Sequence, residues 1–257
     1  MNHVHPPTAA GRFYPADRCA LAATVDGLLA AAGPPSAGRR PVALIAPHGG
    51  YRYSGPIAAS AYALLTPWSA AICRVVILGP SHFVDFDGAA LPAVTALRTP
   101  LGDVPVEPLH ATYRHDQPHA REHSIEVQLP FLQRVLAPGW TCSPVALGQL
   151  DPLRVADLLE GLPAPDTLVV CSTDLSHYQP HETAQELDRH TASAIIDRDP
   201  HGIGPRDACG RIGLRGLLVW ARRHDLLIDL LDLRTSGDTS ADRSSVVGYG
   251  AFAAYTS

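Results

Sequence analysis

The chain has 257 residues, 46% of them hydrophobic and 18% charged, with a formal charge of -5, which supplies enough apolar chain for one large core and excludes a disordered chain. No apolar run reaches membrane-spanning length, no cationic stretch leads into an apolar signal core, and no basic cluster gives the footprint of a nucleic-acid binder. A cytoplasmic protein with neither membrane nor nucleic acid as partner is expected.

Taken in order, residues 1–5 are expected to be a flexible N-terminus and 6–257 a single domain. Asp17 caps a run in which Leu21, Val25, Leu28 and Leu29 recur at helical spacing, predicting a helix to Ala32 and then a loop from Pro34 to Arg40. The run 41-PVALIAPHGG-50 reads as a short strand buried on both faces, followed by a helix from Gly55 to Leu65. Further strands are predicted at 74–82, 141–147, 167–177, 226–234 and 246–255. Helices are predicted at 123–136, 151–162, 180–197 and 211–224. Alternating buried strands and amphipathic helices predict an α/β fold, a mixed central β-sheet flanked by helices on both faces. No linker, repeat or low-complexity tract divides the chain.

Residue types exclude further chemistry. All 20 cationic residues are Arg, so Schiff-base and Walker-type lysine mechanisms are absent. Cys19, Cys73, Cys142, Cys171 and Cys209 are widely spaced without a C-x-x-C pair, and read as buried thiols in a reducing compartment. The 13 histidines are the compositional outlier, and imidazole is both the commonest metal ligand and the proton carrier of neutral pH.

In open α/β sheets, ligand groups gather beyond the carboxyl ends of the strands. Here those ends run out at His48, His82 and His177, and a fourth at Asp238. Two imidazoles and a carboxylate there would form a facial set on Fe(II), or on Zn(II), with the remaining His free as acid or base. The alternative for each is a hydrogen-bonded loop histidine. His115, His119 and His123 form a rival stripe at i, i+4, i+8, but Pro118 interrupts it and leaves His123 alone at the helix start. Glu122 and His123 lie in a segment dense in titratable groups, where Glu122 could orient a metal-bound His or simply cap the helix. Tyr51 and Tyr53, just after His48, would place a phenol in the pocket or pack over it, and Asp174 reads as a loop-shaping or supporting group. No G-x-S-x-G or H-E-x-x-H is present, and Gly248–Ala253, a loose G-x-G-x-x-A, lies inside the last strand.

The stretches 10-AGRFYP-15, 46-APHGGYRYSG-55, 79-GPSH-82, 99-TPLGDV-104, 122-EHSIEVQLPFL-132, 173-TDLSHY-178 and 236-SGDTSADRSSVVGY-249 resemble the Memo-like family, also called AmmeMemoRadiSam system protein B. The resemblance spans almost the whole chain in family order. It implies a fold similar to class III extradiol dioxygenases of the LigB type, with His48 and His82 as metal ligands and Asp238 as the third, where animal members place a Cys. It further implies His177 as acid/base and His123 near the pocket, as well as a functional link to a radical-SAM protein.

The expectation is therefore a non-haem metal protein, a metal-dependent oxidoreductase with a dioxygenase-like site. Fe(II) is the leading cation, with Zn or Cu as alternatives, and a small molecule or peptide is the ligand. A Zn-dependent hydrolase using the same pocket and a non-catalytic metal- or peptide-binding module are the competing readings.

Overall fold

The computed structural model describes residues 3–33, 38–110, 112–162, 165–240 and 242–256; part of the loop expected from Pro34 falls outside them. In chain order the strands are β1 (Val4–His5), β2 (Ala43–Ala46), β3 (Arg74–Pro80), β4 (Ala89–Leu91), β5 (Ala96–Thr99), β6 (Gly102–Pro105), β7 (Tyr113–Arg114), β8 (Thr141–Leu147), β9 (Thr167–Ser172), β10 (His177–Gln179), β11 (Leu227–Thr235) and β12 (Val246–Tyr255). The helices are α1 (Arg18–Ala31), α2 (Tyr51–Tyr62), α3 (Leu129–Val135), α4 (Pro152–Glu160), α5 (His181–Ile196), α6 (Arg211–Arg223) and the single turn α7 (Ser236–Thr239).

The main sheet runs β10-β12-β2-β9-β3-β8-β4-β7, with β11 also paired to β12. Its centre, β2-β9-β3-β8, is parallel, while β12 joins β2 and β4 joins β8 in antiparallel fashion. The parallel strands are buried on both faces, because alternate side chains point to opposite sides. Leu44, Val75, Ile77, Leu168 and Val170 enter one core with residues of α1, α2 and α3. Their neighbours Ile45, Val76, Leu78, Val169 and Cys171 enter a second core with residues of α4, α5 and α6. The mixed sheet covered by helices on both faces is the architecture expected from the alternation.

Local signals account for most boundaries. Asp17 accepts from the Ala20 N–H at the start of α1, and Asp151 from the Leu153 N–H at the start of α4. The helix expected over 123–136 is shorter: a 3-10 turn at Glu126–Gln128 leads into α3, which starts beside Pro130, where a missing N–H costs nothing. Conversely α2 begins at Tyr51 and carries Pro56 within it. The strand expected over 167–177 breaks after Ser172, and His177 opens β10.

The N-terminus also departs from expectation. At residues 3–5, β1 pairs in parallel with Ala96 and Leu97 of β5, and the Thr95 N–H donates to the His3 carbonyl. With β6 these form a separate three-stranded sheet. Among the thiols, Cys142 and Cys171 are buried but Cys19 and Cys73 are exposed. No helix among the described residues is long and apolar enough to cross a membrane.

Candidate metal centre

β2, β9 and β3 are parallel neighbours with β9 in the middle, so their carboxyl ends open on one edge of the sheet and bring together the loops that leave them. His48 lies just past β2, Asp174 just past β9 and His82 just past β3. A fourth contribution comes from the segment before α3. A Cβ at Gly79 would lie 2.6 Å from both Ser124 Oγ and Ile125 Cγ1, so glycine alone lets that segment rest against the end of β3.

The outcome is a cluster of three imidazoles. His48, His82 and His123 each offer a ring nitrogen, and these atoms lie within 4.8 Å of one another. His82 and His123 are nearly parallel, with centroids 4.9 Å apart, while His48 stands edge-on to both at 5.2 and 5.5 Å. Phe13 stacks on His123 at 4.1 Å, so His123 is held between two rings.

Hydrogen bonding fixes two of the tautomers. Ser172 Oγ donates its proton to the Ser124 carbonyl and accepts from Gln128 Nε2, so towards His48 Nδ1, 2.9 Å away, it is an acceptor. His48 is thus protonated on Nδ1 and carries its lone pair on Nε2. His82 Nδ1 donates to Glu122 Oε1 at 2.9 Å, which leaves Nε2 for a cation. A carboxylate behind a metal-facing imidazole is the usual supporting arrangement, because it orients the ring and raises its basicity.

Electrostatics favour neutral rings at His48 and His123. Burial, reinforced by neighbouring His82, pulls His48 down to about 3, and burial with His48 pulls His123 down to about 4. Both are therefore neutral at pH 7. Burial alone would raise Glu122, but the hydrogen bond and charge of His82, with backbone N–H groups, hold it at about 2. For His82 the same carboxylate outweighs burial and raises the pKa. Two neutral imidazoles and a third backed by a carboxylate, preformed in a cluster that runs from buried His48 to exposed His82, fit a divalent transition metal, for which imidazole is a suitable donor.

Other expected residues take different places. Asp174 Oδ1 accepts from the His48 and Gly49 N–H groups, and Oδ2 lies 4.0 Å from His48 Nε2; burial pushes this carboxyl up. His177 donates from Nδ1 to the Leu175 carbonyl at 2.7 Å. Asp238 is not brought to the imidazoles. Its carboxylate accepts from the Thr235 N–H in a capping box and lies 3.5 Å from His181 Nε2, and the third donor of the cluster is His123. Tyr51 is a core residue whose hydroxyl donates to the Val127 carbonyl. Tyr53 is half-buried, with the Arg52 guanidinium over its ring. In the rival stripe, His119 is buried and bonded to the Ala90 carbonyl, away from the cluster.

Two contributors escaped sequence reasoning. Cys209 Sγ lies 3.2 Å from His48 Nε2 and accepts from the Asp174 N–H; burial pushes its thiol well up. Its visible signal is a small-residue segment, Ala208-Cys209-Gly210, just before α6. Phe13 has no local pattern of its own, because its partner is more than a hundred residues away.

Residues 5–253 match the family described as Memo-like protein. A MEMO1 family protein of Methanopyrus kandleri is 38% identical over 275 residues, covering 95% of this chain and 96% of its own. MEMO1 family proteins of Sulfolobus acidocaldarius and Thermotoga petrophila are 34% and 31% identical, each again covering 95% of this chain and 96% of its own. Match and relatives both run through the segments that carry the three imidazoles, and the chain belongs to the Memo-like family.

Proposed function

We propose that the chain is a metal-dependent oxidoreductase that holds a divalent cation, Fe(II), on His48, His82 and His123. The observation that carries this reading is the convergence of three ring nitrogens within 4.8 Å. When bound, the cation supplies Lewis acidity and one-electron redox capacity. Ser172 and Glu122 keep His48 and His82 protonated on Nδ1, so that Nε2 is presented to the cation. With its Nδ1–H given to Leu175, His177 retains a lone pair on Nε2 and serves as the general base for a substrate proton. Asp174 holds the backbone at 48–49 in place through its two N–H bonds.

A second reading draws on the donor set itself. Three imidazoles without a carboxylate among them are also the ligands of zinc sites that activate water, which favours Zn-dependent hydrolysis as the competitor. Anaerobic purification followed by elemental analysis, with oxygen uptake measured in parallel, separates the two. Wild type is expected to retain about one equivalent of iron, His82→Ala and His123→Ala to lose it, and Asp238→Ala to keep it within about twofold, since ligand loss typically costs far more than loss of an outer partner. Zinc in place of iron with no oxygen uptake would favour the hydrolase. Equal metal in wild type and His82→Ala would remove the centre altogether.

A further inference from the structure

We propose that a cavity beside the centre binds a planar, unsaturated ring bearing one anionic group. The cavity has a volume of about 620 Å³ and is lined by His177, Tyr178, Leu187, Arg206 and Cys209, among others; that is within the size range of small-molecule sites. It adjoins the metal centre through Cys209, whose sulfur touches His48, and through the proposed base His177. The identification of this ligand as the substrate rests on the reading of the centre given above.

Tyr178 specifies the ring. Its φ is +58°, a left-handed conformation in which a bulky residue is strained. The pairing of β10 with β12 is irregular between His177 and Gln179, and such bulges re-aim a side chain out of the regular alternation. Tyr178 is 77% exposed, and its ring contact among the described residues is an edge-on approach to His177 at 5.7 Å. Strain with so little packing in return is characteristic of a residue positioned for something outside the chain. Leu187 of α5, also exposed, adds a second apolar surface to the same cavity.

Arg206 specifies the charge. Among the described residues it has no carboxylate partner, although the chain carries more acidic than basic groups. The adjacent Asp207 spends its Oδ2 on the Gly204 N–H. A guanidinium left open at the wall of a cavity recognises a carboxylate or a phosphate in the same way, through paired N–H donors.

The test is binding to metal-free protein, so that its outcome is independent of the identity or presence of the cation. Indole-3-acetate, indole-3-acetamide, cyclohexylacetate and uridine monophosphate would be titrated by calorimetry or ligand-observed NMR. Wild type is expected to bind indole-3-acetate or uridine monophosphate at least fivefold more tightly than the neutral amide or the saturated acid; which of the two it prefers tells carboxylate from phosphate. Arg206→Gln is expected to close the gap between acid and amide. Tyr178→Gly is expected to close the gap between planar and saturated rings while raising Tm, because glycine adopts the left-handed backbone without strain. Equal binding of all four probes, or either gap surviving its variant, would overturn the proposal. Equal metal in wild type and His82→Ala in the retention experiment above, with both gaps present in the wild type and closed by their variants, would instead count against the centre alone.

Discussion

Glu122 organises more of the centre than any of the three imidazoles. Its two oxygens accept from the His82 N–H, His82 Nδ1, and the His123 and Ser124 N–H groups, so one buried carboxylate fixes two of the three donors. Because its pKa falls from 4.5 to about 2 on folding, its contribution is fully present above pH 4.5 and is lost as pH falls through about 2, an amount of up to about 3 kcal/mol. Glu122→Gln is therefore expected to flatten the acid limb of the stability profile in urea unfolding between those pH values, and to weaken metal binding by about 10- to 100-fold. Much at this scale was legible in the sequence: strand ends pointed to His48 and His82, and the density of charge around residue 122 pointed to Glu122 and His123. Asp238 differed because a strand end followed by a helical turn uses its aspartate first as a cap, and a cap is as local as a ligand is remote. Cys209 and Phe13 were hidden for the opposite reason, since what makes them matter lies far along the chain.

At the scale of elements, one side chain makes four of the hydrogen bonds that hold the segment between β1 and α1. Buried Glu126 accepts from the Thr8 N–H and hydroxyl, the Ala9 N–H and the Tyr14 hydroxyl, and Phe13, inside that segment, stacks on His123. Removing the carboxylate leaves several buried donors unsatisfied. Glu126→Ala is expected to cost about 2–4 kcal/mol of stability, read as a lowered denaturation midpoint, with weaker metal retention because His123 loses its stacking partner. Phe13→Ala should reproduce the second effect with a smaller share of the first. Helices and buried strands were legible from periodicity, as at α1, α5, α6 and β12. The short strands β4 to β7 were not, because two to four residues cannot display a period; nor was the N-terminal strand, whose order comes from pairing with β5 rather than from its own composition.

For the whole molecule, β12 is the strand on which the sheet closes, paired with β2, β10 and β11. Gly248 within it leaves room for α5: a Cβ there would lie 1.9 Å from Asp188 Oδ2. Asp188 is 1% exposed, its Oδ1 accepts from the Ser176 N–H, and its Oδ2 has no hydrogen-bond partner among the described residues. Burial pushes this carboxyl up to about 6. The native state thus holds a proton that the unfolded chain releases near pH 4, so stability falls as pH rises from about 4 to 6 and stays lower above it. Asp188→Asn is expected to match wild type at pH 4 and to exceed it by about 1–3 kcal/mol at pH 8, measured as Tm at the two pH values. The fold class followed from alternating strands and helices, whereas strand order did not, because neighbours such as β2 and β9 meet through contacts that no local pattern encodes. That same remoteness has a thermodynamic corollary. Imidazoles drawn from positions so far apart along the polypeptide form a chelate only once the sheet is assembled, so an ion seated there would act as a clasp, and the heat tolerance of the protein would rise and fall with the supply of that ion.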